Sequence, residues 1–489
     1  MTRSRTVMYR AIRFCFSTLV LCAALSSAWA QDQQAAVAEG QNAALTIPAQ
    51  LPNHMPSLKL YSLEAFKRGQ YADFVRVLEH ARTLRPDDPH LMAQLVVGYA
   101  QTGQKAAAYT LMIQMQRQGL AFDFDQIPQT EPIRSTQVYD HINKLLKTAT
   151  QPYGFAETAF TLPESTVMPE TLAWDAQRKQ LFVGDVREGQ IARFDANGEA
   201  VAPAIDTSKL WAIFGLAVDS ERDTLWVSST AVGQWRPYKE ADYGLAALVA
   251  FDLNTGKEKQ RYQLIPDGKP HGFGNLTVAK DGSVYVADSR QPMVHVLKPG
   301  SQQLEKLFFS SQFTSLRGLA YNDDAQLLYV ADRELGIAMW SITDQQLYRI
   351  NKPDTLNLSG LEGINYWNGH LFAIQNGIEP ARVLQIRLGE DGRSIEQDAP
   401  MVAALESFDG PSYGTVAGNS LLFLAANHWP AFDLQGKRLP GTHISPVPVL
   451  KLPLARLDEQ RFPEFRSRKA TPADQVDHAP PVPDEQKQG

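Results

Sequence analysis

The chain has 489 residues, with 47 Lys and Arg against 53 Asp and Glu, and no basic cluster anywhere. It is too long for one ordinary core and too acidic to favour nucleic acid or an anionic membrane surface as a partner. Both cysteines, Cys15 and Cys22, lie in the first thirty residues, so a chain cleaved after Ala30 has no disulfide, thiolate zinc site or cysteine nucleophile.

Residues 1–30 read as a signal peptide. Arg3, Arg5, Arg10 and Arg13 precede an apolar stretch, and Ala28-Trp29-Ala30 has the small-x-small form of a cleavage site. The apolar run is short for a membrane span, and no later segment reaches about eighteen apolar residues. The expectation is export to the periplasm or beyond, with an uncleaved anchor as the alternative. Losing four arginines takes the net charge to about −10. Residues 31–56, rich in Gln and Ala with Pro48, Pro52 and Pro56, read as a flexible linker.

From 57 to 148 the period is helical. Gly69 and Gly103 stand 34 residues apart. Ser62, Gly69, Tyr71, Phe74, Ala81, Leu84 and Pro86 form one copy of a pattern that resembles a tetratricopeptide repeat. Val96, Tyr99, Gly103 and Ala108 form a second. Two copies bury little surface, so they are expected to pack on a third helix near 134–148 or on the rest of the chain. Residues 58–121 then either hold a protein partner in a groove or simply cap the larger domain.

Residues 150–456 are organised around a repeat. RGLAYNDDAQLLYVAD, from Arg317 to Asp332, is a strand, a polar turn and a second strand. It recurs from Thr171, Gly215, Asn275, Gly363 and Gly414, and its second-strand aromatic falls at Phe182, Trp226, Tyr285, Tyr329, Phe372 and Phe423. Intervals of 43 to 59 residues leave room for a second strand pair in each period. The expected fold class is therefore mainly β: a six-bladed β-propeller preceded by a small α-helical, tetratricopeptide-like module. Ring closure requires the two chain ends to share a blade, and Phe155–Leu162 is placed to join the strand at Val449–Leu454. An insertion in the second blade, AVGQWRPYKEADYG from Ala231, carries Trp235, Tyr238 and Tyr243. It reads as a lid over the channel or a small satellite core. Residues 457–489, charged and Pro-rich, read as a disordered tail.

The residues just before each repeat ring one mouth of the channel: Glu170, Phe214, Gly274 (then Asn275), Arg317, Glu362 and Tyr413. Two carboxylates, an amide and a guanidinium need partners. They can hold a hard cation such as calcium, or Arg317 can bridge Glu170 and Glu362 in an ion-pair network. His271, in KPHGFGN, lies close to the third-blade start and is a candidate general base or ligand, with a structural role as the plainer alternative. Trp429 reads as a packing residue. Asp175, Asp219 and Asp281 read as turn residues, and Asp288 and Asp332 as blade-turn residues.

PETLAWDAQRKQLFVGDVREGQIARFD, from Pro169, resembles the first blade of the senescence-marker-protein/gluconolactonase/luciferin-regenerating-enzyme family of six-bladed propellers. The resemblance spans 165–454. It implies that Glu170 is a ligand of a divalent cation, and that Glu362 is a ligand also linked with proton transfer. The chain departs from the family at Arg317, which stands where an Asn ligand is usual, and at Asn275, one residue later than the matching Gly274. The family's activity implies hydrolysis of a lactone or related ester, with a cation polarising the carbonyl, a carboxylate activating water and Arg317 supporting the oxyanion. A non-enzymatic binding or scaffold protein is the competing reading.

Overall fold

The structure, a computed structural model, describes residues 46–264 and 267–455. The expected leader and tail lie outside the described residues. Five helices come first: α1 (Met55–Lys67), α2 (Tyr71–Leu84), α3 (Pro89–Gln101), α4 (Lys105–Arg117) and α5 (Gln137–Thr148). Gly69 and Gly103 end the first helix of each hairpin in the left-handed conformation, at φ 67° and 75°. In both, the residue after the glycine returns its N–H to the helix, from Gln70 to the Ala65 carbonyl and from Gln104 to the Tyr99 carbonyl. This is a helix stop that a glycine adopts without Cβ strain. At α3, Asp88 caps the N–H groups of His90 and Leu91, and Pro89 occupies the first turn where its missing N–H costs nothing. The helices share one core, including Phe74, Leu78, Leu95, Met112 and Tyr139. Among the described residues no helix is long and apolar enough to cross a membrane.

The remainder is a ring of six small sheets. β1 (Glu157–Thr161) pairs with the last strand, β23 (Pro448–Pro453), so the two ends of the domain close one blade, β1-β23-β22-β21, with β21 Gly414–Ala417 and β22 Ser420–Leu424. Blade 1 has three strands, β2 (Pro169–Asp175), β3 (Gln180–Asp185) and β4 (Ile191–Phe194). Blade 2 is β5 (Ala212–Asp219), β6 (Thr224–Thr230), β7 (Ala246–Asp252) and β8 (Glu258–Tyr262). Blade 3 is β9 (Phe273–Val278), β10 (Val284–Asp288), β11 (Met293–Leu297) and β12 (Glu305–Phe309). Blade 4 is β13 (Leu316–Asn322), β14 (Leu327–Asp332), β15 (Gly336–Ser341) and β16 (Gln346–Arg349). Blade 5 is β17 (Leu361–Trp367), β18 (His370–Gln375), β19 (Arg382–Leu388) and β20 (Ile395–Ala403). The first strands β2, β5, β9, β13, β17 and β21 each touch the next, and β21 touches β2. That is a closed ring, and the protein is a mainly β, six-bladed propeller with helices ahead of it. The repeat aromatics Phe182, Tyr329, Phe372 and Phe423 are fully buried between blades, each worth about 2–3 kcal/mol of apolar burial.

The helices dock on blades 4 and 5 through a buried polar network. Asp87 accepts the Leu358 N–H at 3.2 Å and pairs with Lys352 at 3.0 Å. Asn357 donates to the Asp87 carbonyl and to Gln118, and Arg382 donates to the Gln118 carbonyl at 2.9 Å. Arg85 donates to the Gln312 carbonyl at 2.6 Å, and Ala121 to that of Glu379 at 2.7 Å. These propeller residues lie in segments that precede an inner strand or follow a second strand. The helical module is therefore fixed to the same end of the ring as the mouth residues.

Candidate functional site at the propeller mouth

A backbone irregularity builds this site. In five blades the register between the first and second strands slips by one residue, in blade 3 between Phe273 and Leu276, and in the others between Pro169 and Thr171, Ile213 and Gly215, Leu316 and Gly318, and Leu361 and Gly363. In those other four the unpaired residues are Glu170, Phe214, Arg317 and Glu362. Each is the extra residue of a β-bulge, which re-aims a side chain at the rim of a barrel-like ring. Glycine follows three of them, Phe214, Arg317 and Glu362, and at Gly215 and Gly318 it lets the next inner strand approach closely. A Cβ at Gly215 would meet the Gly274 carbonyl at 2.7 Å, and one at Gly318 the Ile364 nitrogen at 2.8 Å.

The bulges bring Glu170, Arg317, Glu362 and Tyr413 together. Arg317 Nη1 lies 3.3 Å from Glu362 Oε1, and Arg333 Nη1 contacts Glu362 Oε2. Arg333 also donates to Asn376 Oδ1 at 2.9 Å, whose amide donates to the Pro411 carbonyl. Tyr413 donates its hydroxyl to the Arg317 carbonyl at 3.2 Å. Glu170, 3% exposed, accepts from Trp429 Nε1 at 2.7 Å. Burial, and then the Glu362 carboxylate nearby, push the Glu170 carboxyl up to about 8, against smaller opposing effects of Trp429 and Arg317. The Glu362 carboxylate holds the Arg317 guanidinium above its ordinary range, against the opposing effect of burial. Burial pushes the Tyr413 phenol well up, and the two carboxylates add to this.

Asn275 and His271 are not in this cluster. Asn275 Oδ1 accepts the Leu319 N–H of the next blade at 2.9 Å. Thr171 Oγ1 does the same for Leu216 in blade 1, at 3.1 Å. Asn275 is thus the counterpart of Thr171, one place past the mouth position, and the displaced Asn of the sequence faces between blades. His271 sits at the same end of blade 3, where its ring contacts Asp288 and Asp267 rather than any of the mouth carboxylates.

Both Glu362 oxygens face guanidinium groups, one Glu170 oxygen accepts from Trp429, and the Asn275 amide oxygen is committed to the next blade. A calcium ion takes six to eight oxygen ligands and is repelled by guanidinium. As arranged, the mouth does not fit it.

Arg333, Asn376 and Trp429 were not singled out as site residues by reading the repeats. Arg333 and Asn376 stand one residue past β14 and β18, and an antiparallel second strand ends where the first begins. The missed signal is therefore the residue after each repeat, not only the residue before it. Trp429 belongs to a loop of the closing blade that meets the blade-2 insertion. Arg187 donates to the Gln234 carbonyl at 2.7 Å, Gln234 donates to that of Asp433 at 3.1 Å, and Trp235, Trp429, Phe432 and Phe214 share one apolar cluster. The insertion therefore packs against the closing-blade loop that carries Trp429, on the Glu170 side of the mouth.

No protein-family model matches this chain, and no curated protein matches it. Among solved structures it is similar to a gluconolactonase from Xanthomonas campestris, at 17% identity and TM-score 0.40 over 62% of this chain and 99% of that one. It is similar to the PQQ-bound aldose sugar dehydrogenase of Streptomyces coelicolor, at 15% identity and TM-score 0.41 over 62% and 99%. A nidogen/laminin complex matches at 14% identity and TM-score 0.37 over 48% and 80%.

Proposed function

We propose that the mouth recognises a small, oxygen-rich ligand that presents a carboxylate or a polarised carbonyl oxygen, such as a hydroxy acid or its lactone, without a resident metal ion. One observation carries this reading. Two guanidinium groups share a single carboxylate, Glu362, while burial and Glu362 favour the neutral form of Glu170, which leaves the mouth with positive charge in excess. Arg317 and Arg333 are each about a third exposed and present fork-shaped donors that suit a carboxylate. The Arg317 Nε–H is buried and has no hydrogen-bond partner among the described residues. Phe214 and Trp429, with ring centroids 6.0 Å apart, offer apolar faces beside the polar groups.

A second reading is favoured by the Glu170 carboxyl at about 8. A carboxylic acid that titrates near the working pH is suited to moving a proton to or from a lactone's ring oxygen. Arg317 would then stabilise the oxyanion, and the function becomes lactone hydrolysis. The tetratricopeptide resemblance of the helices, and a protein partner across residues 58–121, belong to the same proposal: the module then presents a partner to the mouth it flanks.

The test is calorimetry with a panel of hydroxy acids such as gluconate, with glucono-1,5-lactone hydrolysis followed by pH-stat, both in excess EDTA. At least one acid should bind, and Arg333→Gln should weaken it about 10- to 100-fold, the loss of a charge-assisted contact. No binding across the panel, or binding that Arg333→Gln leaves unchanged, overturns the recognition reading. Turnover that Glu170→Gln abolishes selects the hydrolase.

A further inference from the structure

Blade 3 contains a second polar cluster, away from the mouth carboxylates. His271 precedes β9, Asp288 ends β10, and His295 lies on β11. Their candidate ligand atoms all lie within 4.8 Å of one another. His271 Nδ1 is 2.5 Å from Asp288 Oδ2, and His295 Nε2 is 3.6 Å from the same oxygen.

Asp288 ends a second strand, as Asp185 and Asp332 do, and those residues show what this position ordinarily does. Asp332 accepts Glu334 and Leu335 N–H groups on one oxygen and those of Thr314 and Ser315 on the other. Asp185 likewise spends one oxygen on Glu188 and the other on Met168. In Asp288 all the backbone donors, Gly272, Arg290 and Gln291, fall on Oδ1. The whole blade-turn role is met by one oxygen. Oδ2 is left facing two imidazoles.

His295 is 3% exposed, and among the described residues neither of its ring nitrogens has a hydrogen-bond partner. A buried nitrogen without a partner is costly to the fold. A plain His–Asp–His hydrogen-bonded triad would satisfy at least one of them, and 3.6 Å is too long for that. The outer groups are those a metal site uses. The other nitrogen of His271, Nε2, lies 3.1 Å from Asp267 Oδ1. Carboxylate support of a ligating histidine is the usual arrangement, because it sets the tautomer and the ring orientation. The three backbone N–H groups on Oδ1 hold the Asp288 carboxylate in the same way.

We propose that His271 Nδ1, Asp288 Oδ2 and His295 Nε2 are three ligands of a divalent ion of the zinc class. Two imidazoles and one carboxylate select a borderline first-row ion over calcium. Ligand atoms around a tetrahedral zinc stand roughly 3.3 Å apart. The observed separations from Asp288 bracket that value, so binding needs the His271–Asp288 pair to open by about 0.8 Å, draws the two imidazoles together from a spacing within 4.8 Å, and displaces the proton between His271 and Asp288. The ion would tie the segment before β9, the end of β10 and the middle of β11 within one blade. This inference does not depend on the function proposed for the mouth.

The experiment strips the full-length protein with chelator, then titrates zinc alone and cobalt(II) alone. One equivalent should bind, cobalt should give the visible absorption of a low-coordinate nitrogen and oxygen site, and zinc should raise the melting temperature. His295→Phe, which sits beside Phe273 at a ring distance of 5.6 Å, should lose at least 100-fold in zinc affinity while melting like the stripped parent. His295→Gln serves if the phenylalanine is not tolerated. Glu170→Gln should keep the zinc equivalent, which separates this site from the mouth. A stripped parent that takes up neither ion at one equivalent overturns the proposal, as does an unchanged equivalent in both His295 variants. In either case the cluster is a metal-free hydrogen-bonded network.

Discussion

Glu170→Gln probes the mouth without disturbing its shape. The amide replaces a carboxyl of the same outline, and its oxygen can still accept from Trp429 Nε1, now at 2.7 Å from Glu170 Oε2. What changes is proton linkage. The ordinary value for this carboxyl is 4.5, and burial with Glu362 beside it raises the folded value to about 8. The folded state therefore holds the proton more tightly than the unfolded chain. The stabilisation this gives is fully present below 4.5 and is lost as pH rises toward 8, at about 1.4 kcal/mol per pH unit. Across the whole window the loss approaches about 5 kcal/mol, and at pH 7 it is about 3 kcal/mol. Glutamine has no proton to lose, so the variant escapes the penalty.

The parent and Glu170→Gln should therefore have nearly equal stability at pH 4.5. The variant should pull ahead as pH rises and hold a constant advantage above about 8.5. Denaturant melts of both proteins at half-unit pH steps give the difference directly, and effects shared by the two proteins cancel. A difference that stays flat from pH 5 to 9 would refute a neutral Glu170, and with it the excess positive charge assigned to the mouth. A difference of the opposite sign would mean that Glu170 is ionised and stabilised by Arg317.

Trp429→Phe removes the one side-chain donor on Glu170. The plateau of the same pH curve should move up by about one unit, because a hydrogen bond to the ionised form is worth about 1.5 kcal/mol; an unmoved plateau means the indole does not contact the acid. Asp87→Asn breaks the Lys352 pair beneath the helical module. It should cost about 2–4 kcal/mol and expose the segment between α5 and β1 to limited proteolysis, whereas cleavage no faster than in the parent would show that the module is held by its apolar contacts alone.

The propeller was legible because its periodicity is strong: the aromatics at Phe182, Tyr329, Phe372 and Phe423 recur wherever a second strand must fill the space between blades, and all four are fully buried. The mouth was legible for a different reason. Glu170, Phe214, Arg317 and Glu362 precede a small residue, three times glycine, and that pair is the trace a bulge leaves when the next inner strand passes too close for a side chain. Asn275 shows how sharp this trace is. One residue's displacement moves its amide from the channel to the Leu319 N–H of the neighbouring blade. Arg333 and Asn376 were hidden because their place depends on pairing rather than on pattern. An antiparallel partner carries the end of each repeat back to its beginning, so both flanks of the unit face the mouth. His295 was hidden more deeply. In Met293-Val294-His295-Val296-Leu297 it is one imidazole in an apolar strand, and sequence shows neither that Val286 pairs with it nor that Asp288 reaches it. A buried strand tolerates such a residue only when something satisfies its nitrogens. Since no protein group among the described residues does so, the partner to look for is an ion, and the place to look is beside Asp288 Oδ2, the oxygen that faces both imidazoles.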